Sequence, residues 1–435
     1  MRRSRGTIHM YHVVFVNDHA NVTGGQAKVA IAGAAGLARR GHHVSFYCRR
    51  GTGRSRSRCR RRRDDLPRSK GPGQRSQQIP DGAAGDLEPR CLGALTRLLA
   101  TLPKERTIVH VHGFVKGLSP SVWRAIDRSG LPFVHTAHDY FITCPNGAYF
   151  DYTKGINCPL RPMSFSCITC HCDARSYAQK LFRVVRQLAL STLGRMPRRL
   201  KHINYMTNLQ RAVLVRDLPD GIKFHQVLNP IDVVDRGPVK LENNSAFVFV
   251  GRLSHEKGVL LLAQAARELG AAVSFIGTGY LSDRIGEICP DARVTGWLAP
   301  NDVIESIRGA RALVLPSTWY EVQGMVILEA LGNGVPVIIS DNCAGREAIT
   351  NGETGLLFAN GDVEDLKKCM RTLADDAIAS RMGRAAYNRY WQRPLTLDTH
   401  LDQLEAVYAE ILGEPLGRGA GEPAAGVAER ALESA

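Results

Sequence analysis

The sequence predicts an α/β protein of two successive domains, each built around an open, mainly parallel sheet. Short apolar segments of strand length alternate with longer segments of helical periodicity, as in open α/β sheets. This alternation occurs twice along the 435 residues, on either side of an aperiodic stretch at 233–242. The length allows two or three domains with well-buried cores.

The first half begins with a β-loop-α-β unit. His12–Val16 is predicted as a buried strand, and a polar loop ending in Gly24 and Gly25 leads to a helix over 26–40 and a strand at 43–48. The remaining strands of this half are predicted at 107–112, 132–136, 202–206 and 223–228, and its remaining helices at 92–102, 119–129 and 177–200.

The pattern breaks at 49–90. Residues 51–75 contain ten Lys or Arg with only Leu66 as an aliphatic side chain. Such a segment cannot bury enough apolar surface to offset the entropy of ordering it. We therefore expect either a disordered basic loop or a stretch altered by a frameshift.

The second half repeats the α/β pattern. Strands are predicted at 246–250, 272–276, 294–295, 312–315 and 336–339, and helices at 258–269, 301–309, 324–333, 362–375 and 395–412. The predicted domains are 1–232 and 233–390. A C-terminal helix at 391–413, expected to cross back to the N-terminal domain, and a disordered tail at 414–435 follow.

Charge is distributed unevenly along the chain. The net charge is +16, but residues 1–232 hold 38 Lys and Arg against 14 Asp and Glu. A basic half suggests a polyanionic partner, such as a nucleic acid, an anionic membrane surface or a phosphorylated acceptor; a solvated, Arg-rich surface is the alternative. The interspersed basic and apolar residues of 177–200 suit either an anionic membrane surface or an ordinary amphipathic helix. No apolar run is long enough to span a bilayer.

The segment Phe247–Gly258, FVFVGRLSHEKG, carries the first chemical signal. A buried strand ends at Gly251, and Arg252 and Lys257 follow before a new helix. Two cations and a helix N-terminus at the carboxyl end of a strand can hold a diphosphate. In isolation, an Arg and a Lys near a turn are more often solvated side chains than a binding site.

A second segment, PSTWYEVQGMVILEALGNGVP at 316–336, places two carboxylates eight residues apart. Glu321 precedes the helix that Gly324 and Met325 begin, and Glu329 lies about two turns inside it. Free amides at that helix start can contact phosphate or sugar oxygens. A buried Glu329 needs a hydrogen-bonding partner, which a ribose diol would provide; a surface glutamate is the alternative.

Together these segments resemble the retaining glycosyltransferases of family 4, which have the GT-B fold of two Rossmann-like domains facing across a cleft. The resemblance extends to the glycine loop and to three short motifs: VHVHG at 109–113, HTAHD at 135–139 and NPID at 229–232. It covers most of the chain and is patchy around 49–90, where the family predicts another strand.

The resemblance implies roles for individual residues. Arg252 and Lys257 would hold the diphosphate of the donor, Glu321 would contact the transferred sugar, and Glu329 would bind the ribose. Gly24 and Gly25 would let the first loop approach the phosphates, and His138 would lie near the reaction centre; a core histidine is the alternative. Gly277, Thr278 and Gly279 would pass under the nucleotide. Trp297 or Leu298 would lie near the base, with a simple core contact as the alternative.

The implied activity is transfer of a sugar from a nucleotide-diphosphate sugar, with UDP or GDP as the expected nucleotide, to a cell-envelope or exopolysaccharide glycan or a lipid-linked acceptor. No Asp-x-Asp motif follows a strand, so catalysis is expected without a metal cofactor. The alternatives are a GT-B phosphorylase or epimerase and, in another class, a basic RNA-binding protein. No nucleic-acid motif accompanies the charge, so no nucleic-acid partner is expected.

Five cysteines lie within 29 residues, at Cys144, Cys158, Cys167, Cys170 and Cys172. Their density suggests a structural zinc site, with an iron–sulfur cluster and free thiols as alternatives. No secretion signal is recognisable before the first strand, so we expect a reducing, cytoplasmic location, with peripheral attachment to the inner face of the membrane as a further expectation.

Overall fold

The computed structural model describes residues 10–22, 24–48 and 89–414. The predicted basic loop at 49–90 lies outside these residues except for its last two, and the predicted tail at 414–435 lies outside them except for Glu414. The described residues form two α/β domains, each with a six-stranded parallel sheet. This arrangement confirms the predicted fold class.

The N-terminal domain has the strand order β2-β1-β3-β4-β7-β8, and β5 and β6 form a separate antiparallel pair. Its strands are β1 (His12–Val16), β2 (His43–Tyr47), β3 (Thr107–Val111), β4 (Phe133–Thr136), β5 (Phe150–Asp151), β6 (Ile156–Asn157), β7 (His202–Tyr205) and β8 (Lys223–Gln226). Its helices are α1 (Gly25–Arg39), α2 (Pro89–Ala100), α3 (Ser121–Ser129), α4 (Phe165–Thr169), α5 (Tyr177–Thr192) and α6 (Asn208–Val215).

The C-terminal domain has the strand order β11-β10-β9-β12-β13-β14. Its strands are β9 (Phe247–Val250), β10 (Val273–Ile276), β11 (Arg293–Gly296), β12 (Ala312–Leu315), β13 (Val337–Ser340) and β14 (Gly355–Phe358). Its helices are α7 (Val259–Leu269), α8 (Ser282–Ile288), α9 (Pro300–Arg308), α10 (Met325–Gly332), α11 (Val363–Ala374) and α12 (Asp376–Gln392), and α13 (Leu397–Leu412) follows. This order reverses direction between β9 and β12, where doubly wound sheets bind ligands.

Both faces of the N-terminal sheet are buried. Successive strand residues point to opposite faces. Val14 and Val16 accordingly join a core that includes α2 and α3, whereas Val13 and Phe15 join a second core that includes α1 and α13. This explains why β1 reads as a continuous apolar run rather than an alternating one.

The C-terminal helix α13 packs against the N-terminal domain. The Tyr408 hydroxyl lies 2.7 Å from Nδ1 of the buried His110, whose other ring nitrogen lies 2.6 Å from the Thr136 hydroxyl. Arg40 of the N-terminal domain forms ion pairs with three acids of α13, namely Asp398, Asp402 and Glu405. The chain therefore crosses between the domains twice, once after β8 and once before α13.

The two domains contact each other at the carboxyl ends of their sheets. Glu347 of the C-terminal domain accepts hydrogen bonds from the backbone amides of Asn208 and Leu209, at 2.9 and 2.8 Å, and so caps α6. The Thr207 hydroxyl donates to the Val322 carbonyl at 2.9 Å. These contacts hold the strand-end loops of both domains against each other.

Helix α5 is shorter than the predicted 177–200. It ends at Thr192, after which the Gly194 amide donates to the Ala189 carbonyl, five residues back, at 3.1 Å instead of continuing the helical pattern. Pro197 follows, and proline cannot continue a helix. In the described part of the chain, no helix has both the length and the apolar character that a membrane crossing requires.

We predict that Tyr408→Phe lowers the free energy of unfolding by about 1–3 kcal/mol, because it leaves the buried His110 nitrogen without its partner. Urea denaturation measures this. The matched control is Tyr387→Phe, which removes an exposed hydroxyl contact to Asp235 and should change stability by less than about 0.5 kcal/mol. Equal stability of the two variants would contradict the role assigned to α13.

Candidate active site

The loops after β9, β10 and β12 pack too closely for side chains at two glycines. A Cβ on Gly258, which has φ of 66°, would lie 1.9 Å from the Pro316 carbonyl oxygen. A Cβ on Gly277, which has φ of 139°, would lie 1.9 Å from the Gly251 carbonyl oxygen. Both conformations favour glycine. Close packing of these loops brings the side chains on either side of the switch point together.

Lys257 and Glu321 form an ion pair at this point. Lys257 Nζ lies 2.5 Å from Glu321 Oε2, which also accepts hydrogen bonds from Ser317 Oγ and Trp319 Nε1, each at 3.2 Å. Burial acts to raise the pKa of Glu321, but Lys257 and these hydrogen bonds outweigh it and lower that pKa below its usual value. Glu321 is therefore a carboxylate held by three donors.

Arg252 lies on the same loop as Lys257 and is more accessible. Its side chain is 69% exposed, and its guanidinium lies 3.3 Å from the carboxylate of the buried Glu256. The other carboxylate oxygen of Glu256 has no hydrogen-bond partner among the described residues. The guanidinium of Arg252 thus has one nitrogen paired with Glu256 and presents most of its N–H donors to solvent.

Helix α10 starts at the carboxyl end of β12. Gly324 precedes it in a left-handed conformation, with φ of 71°, and Gln323 Oε1 accepts from the Asn229 amide of the N-terminal half at 3.0 Å. Across the cleft, a Cβ on Gly25 would lie 3.6 Å from Met325 Sδ, whereas Gly24 has extended backbone and no atom within 4 Å of an added Cβ. The start of α10 therefore faces the first loop of the N-terminal domain.

Glu329 lies inside α10 as the spacing predicts. Burial raises the pKa of Glu329, Lys28 of α1 lowers it, and Asp232 raises it further. Its carboxylate makes no hydrogen bond with the residues that the structure describes. Glu329 is half-buried, and a carboxylate that is partly withdrawn from water without a hydrogen-bond partner is available to a hydrogen-bonding ligand.

His138 is the half-buried member of a cluster of five histidines beneath the cleft, of which the other four are buried. Its Nε2 lies 2.9 Å from His112 Nδ1. Burial, with smaller contributions from His135 and His400, lowers the pKa of His138 to about 3. His138 is therefore neutral at physiological pH. The histidine cluster comprises His110, His112, His135, His138 and His400.

Asp18 and Gln26 shape the N-terminal side of the cleft, and sequence reasoning missed both. Asp18 accepts backbone hydrogen bonds at 2.8–3.2 Å from three amides, those of Val115, Gly117 and Leu118. Gln26 Nε2 donates to the His112 carbonyl at 2.8 Å. Asp18 follows β1 directly, and that placement at a strand end is the signal that could have identified it.

Several buried polar atoms near the strand ends have no hydrogen-bond partner in the described chain. They are His112 Nε2, Tyr140 Oη, Asn229 Oδ1, Ser254 Oγ, Glu256 Oε2 and Gln323 Nε2. These residues follow the carboxyl ends of five strands, β3, β4, β8, β9 and β12. Because buried polar atoms are normally paired, their concentration indicates a polar ligand at this edge.

The contact of Trp297 or Leu298 with the base stays a prediction. Trp297 is 67% exposed, and Leu298 packs against the core of the C-terminal domain. Thr278 takes part through its backbone, since its carbonyl accepts from the Leu253 amide at 3.1 Å. Gly279, like Gly277, permits the close approach of the β9 loop.

The cysteines divide into different environments. Lys180 Nζ lies 3.2 Å from Cys172 Sγ and 3.5 Å from Cys167 Sγ, whereas Cys170 Sγ contacts Asp151 at 3.6 Å. Across 10–22, 24–48 and 89–414, no three His, Cys, Asp or Glu side chains are placed to hold one metal ion. Zinc bound by Cys144, Cys158, Cys167, Cys170 and Cys172 stays a prediction, and the structure describes thiols beside an ammonium group.

Comparison with known families gives two matches that together cover most of the chain. Residues 23–233 match the family described as Glycosyltransferase Family 4, and residues 244–376 match Glycosyl transferases group 1. Their boundary falls between β8 and β9, where the structure passes from one sheet to the other.

The proteins similar to the chain include two curated relatives and one solved structure that indicate the extent of the similarity. A Mycobacterium tuberculosis glycogen synthase is 32% identical to the chain over a match that covers 45% of this chain. The chain thus spans about half the length of that relative, namely 48%. An Escherichia coli UDP-Gal:alpha-D-GlcNAc-diphosphoundecaprenol alpha-1,3-galactosyltransferase is 23% identical over 73% of this chain and 79% of its own length. A sucrose-phosphate synthase from Thermosynechococcus elongatus has a TM-score of 0.67 at 18% identity, covering 93% of this chain and 99% of its own, and it supports the GT-B fold.

We predict that acid destabilises the protein through the histidine cluster. Burial lowers the pKa of His135 and His400 to about 4 and that of His138 to about 3. Between pH 6.5 and 4 the unfolded chain binds protons that the folded protein does not. The free energy of unfolding should therefore decrease as the pH is lowered, by about 1.4 kcal/mol per pH unit for each histidine. Urea midpoints at pH 7.5 and 5.5 measure the slope.

The matched control uses two histidine-to-asparagine variants. His135→Asn should reduce the dependence of the free energy of unfolding on pH by the contribution of about one proton taken up on unfolding. His171→Asn, at an exposed position, should leave this dependence unchanged. Asp139 acts in the opposite direction, because burial raises its pKa to about 6, but it is one group against several. Stability that does not fall between pH 7.5 and 5.5 would contradict the assignment.

Proposed function

The chain belongs to the group 1 glycosyltransferases, with a first half that matches Glycosyltransferase Family 4, and we propose that it is a retaining, metal-independent enzyme using a nucleotide-diphosphate sugar. The expected nucleotide is UDP or GDP, and the acceptor is a cell-envelope or exopolysaccharide glycan or a lipid-linked sugar. The observation that carries the proposal is the Lys257–Glu321 pair at the switch point, with Arg252 beside it. The name of the E. coli relative supports both a UDP-sugar donor and a lipid-linked acceptor.

Lys257 and Arg252 are the groups that would bind the donor diphosphate. The ammonium of Lys257 has three N–H donors, of which Glu321 engages one. The remaining donors and the exposed guanidinium of Arg252 would stabilise the negative charge that grows on the departing phosphate. The Glu321 carboxylate fixes the position of Lys257 and would lie close enough to accept a hydroxyl of the transferred sugar.

Glu329 and the start of α10 would bind the rest of the donor. A ribose diol offers two O–H donors to the half-buried Glu329 carboxylate, which has no hydrogen-bond partner in the described chain. Free amides at the start of α10, around Gly324 and Met325, would face the phosphates. The open space around Gly24 would leave room for the same ligand from the N-terminal side.

His138 would act as a neutral group beside the reacting sugar. One of its nitrogens faces His112, which leaves the other for a hydroxyl of the donor sugar or the acceptor. The acceptor hydroxyl would attack the anomeric carbon on the face from which the nucleoside diphosphate leaves, so the configuration is retained. The acceptor's proton would pass to the departing phosphate oxygen.

We predict that Lys257→Ala and Glu329→Ala each lower donor affinity or turnover at least tenfold, or about 1.4 kcal/mol. Nucleoside-diphosphate release from a panel of nucleotide sugars, with and without acceptor, measures this. The matched controls are Lys368→Ala and Glu353→Ala, two exposed positions of the same domain, which should stay within twofold. Unchanged kinetics for both site variants would contradict the site.

The chemistry itself gives a separate prediction. A chelator should leave turnover within twofold of its untreated value, because Lys257 and Arg252 supply the positive charge. The product should have the anomeric configuration of the donor sugar, as measured by NMR coupling constants of the purified product. A large loss of turnover in chelator, or an inverted product, would refute this mechanism.

A further inference from the structure

Helix α5 turns its polar side chains towards the protein. Lys180 is 0% exposed and contacts the thiols of Cys172 and Cys167. Arg183 Nε lies 2.9 Å from the buried Asp173 carboxylate, and Gln187 Nε2 donates to the Thr143 carbonyl at 3.1 Å. The buried side of α5 is therefore mainly polar: of its three buried side chains, Lys180 and Gln187 are polar and Leu190 is apolar, whereas an ordinary surface helix buries an apolar face.

The outer face of α5 is apolar and exposed to solvent. It consists of Leu181, Phe182, Val185 and Leu188, and Leu193 continues it beyond the helix end. Positions 181, 185 and 188 follow the i, i+4, i+7 spacing that places side chains in one line. Exposed apolar side chains that lie together mark an interaction surface, whereas scattered ones need no explanation.

Basic residues surround this apolar face, and acidic residues are absent from its segment of the chain. Residues 174–216 contain ten Lys or Arg and no Asp or Glu. Three of the ten point inwards from α5, but Arg195, Arg198 and Arg199 just beyond it are exposed. Arg195 and Arg199 share Asp127, at 3.5 and 3.4 Å. An exposed apolar stripe thus ends in a cluster of guanidinium groups.

We propose that the outer face of α5 binds the surface of an anionic lipid bilayer, with the apolar side chains among the acyl chains and the three arginines at the headgroups. The charge pattern favours an anionic membrane over a second copy of this chain, because the segment 174–216 has no Asp or Glu with which the arginines of a second copy could pair. The inference does not depend on sugar transfer, since it concerns a surface outside the donor site.

Flotation of the full chain with vesicles tests this proposal. Vesicles of phosphatidylglycerol and phosphatidylcholine should bind the protein at least tenfold more strongly than phosphatidylcholine alone, and 0.5 M salt should weaken the binding because it screens the arginines. Equal binding to both kinds of vesicle, or binding to neither, would overturn the proposal.

A pair of valines provides the matched control. Val185 on the outer face of α5 is 64% exposed, and Val234 in the interdomain segment is 71% exposed. Val185→Glu should reduce binding to anionic vesicles at least tenfold, whereas Val234→Glu should stay within twofold. Both variants should keep the wild-type melting temperature, because neither position is buried.

A second pair tests the charge. Arg198→Glu should weaken binding to anionic vesicles at least fivefold, and Arg371→Glu, at an exposed position of α11, should not. Light scattering distinguishes the rival occupant: a dimer that Val185→Glu dissociates, with no vesicle binding by the wild type, would assign this face to a second copy and overturn the proposal. Vesicle binding that survives Val185→Glu unchanged would also overturn it.

Discussion

The ion pair between Lys257 and Glu321 is the interaction on which the site depends. A buried carboxylate is tolerable only if it is neutral or firmly held, and Glu321 is held by the ammonium, a hydroxyl and an indole N–H. These groups come from the loops after β9 and β12, which the reversal of strand order makes neighbours. The pair thus joins the two sides of the switch point and places a cation where a diphosphate would lie.

The same edge of the molecule also joins the domains. Glu347 caps a helix of the N-terminal domain, and Gln323 binds the Asn229 amide in the segment that connects the two sheets. Helix α13 returns to the N-terminal sheet through the contact of Tyr408 with His110. Because these contacts flank the cleft, the positions of Glu329 and His138 relative to each other depend on domain packing rather than on either domain alone.

The sequence pattern of helix α5 predicts an amphipathic helix correctly but does not predict which of its faces is buried. Its periodicity identifies an amphipathic helix, and an ordinary surface helix buries its apolar face. Here the inner positions are filled by Lys180, Arg183 and Gln187, because the loops at 143–173 offer thiols, carbonyls and a buried carboxylate instead of apolar side chains. Only the neighbouring loops decide which face is inside.

From the sequence alone, the two α/β domains, most strands, the donor motifs and the eight-residue spacing of Glu321 and Glu329 could be predicted, because hydrophobic periodicity and strand-end motifs are local. Short or weakly apolar elements could not, including α6, α8, α12 and β14. The sequence also did not predict the partners of the site residues, such as Trp319 for Glu321, Lys28 for Glu329 and His112 for His138. Two of these three partners are distant in the chain, and all three contacts depend on how strands, loops and domains pack. Only the tertiary structure therefore decided which groups meet, which are buried and which carry charge.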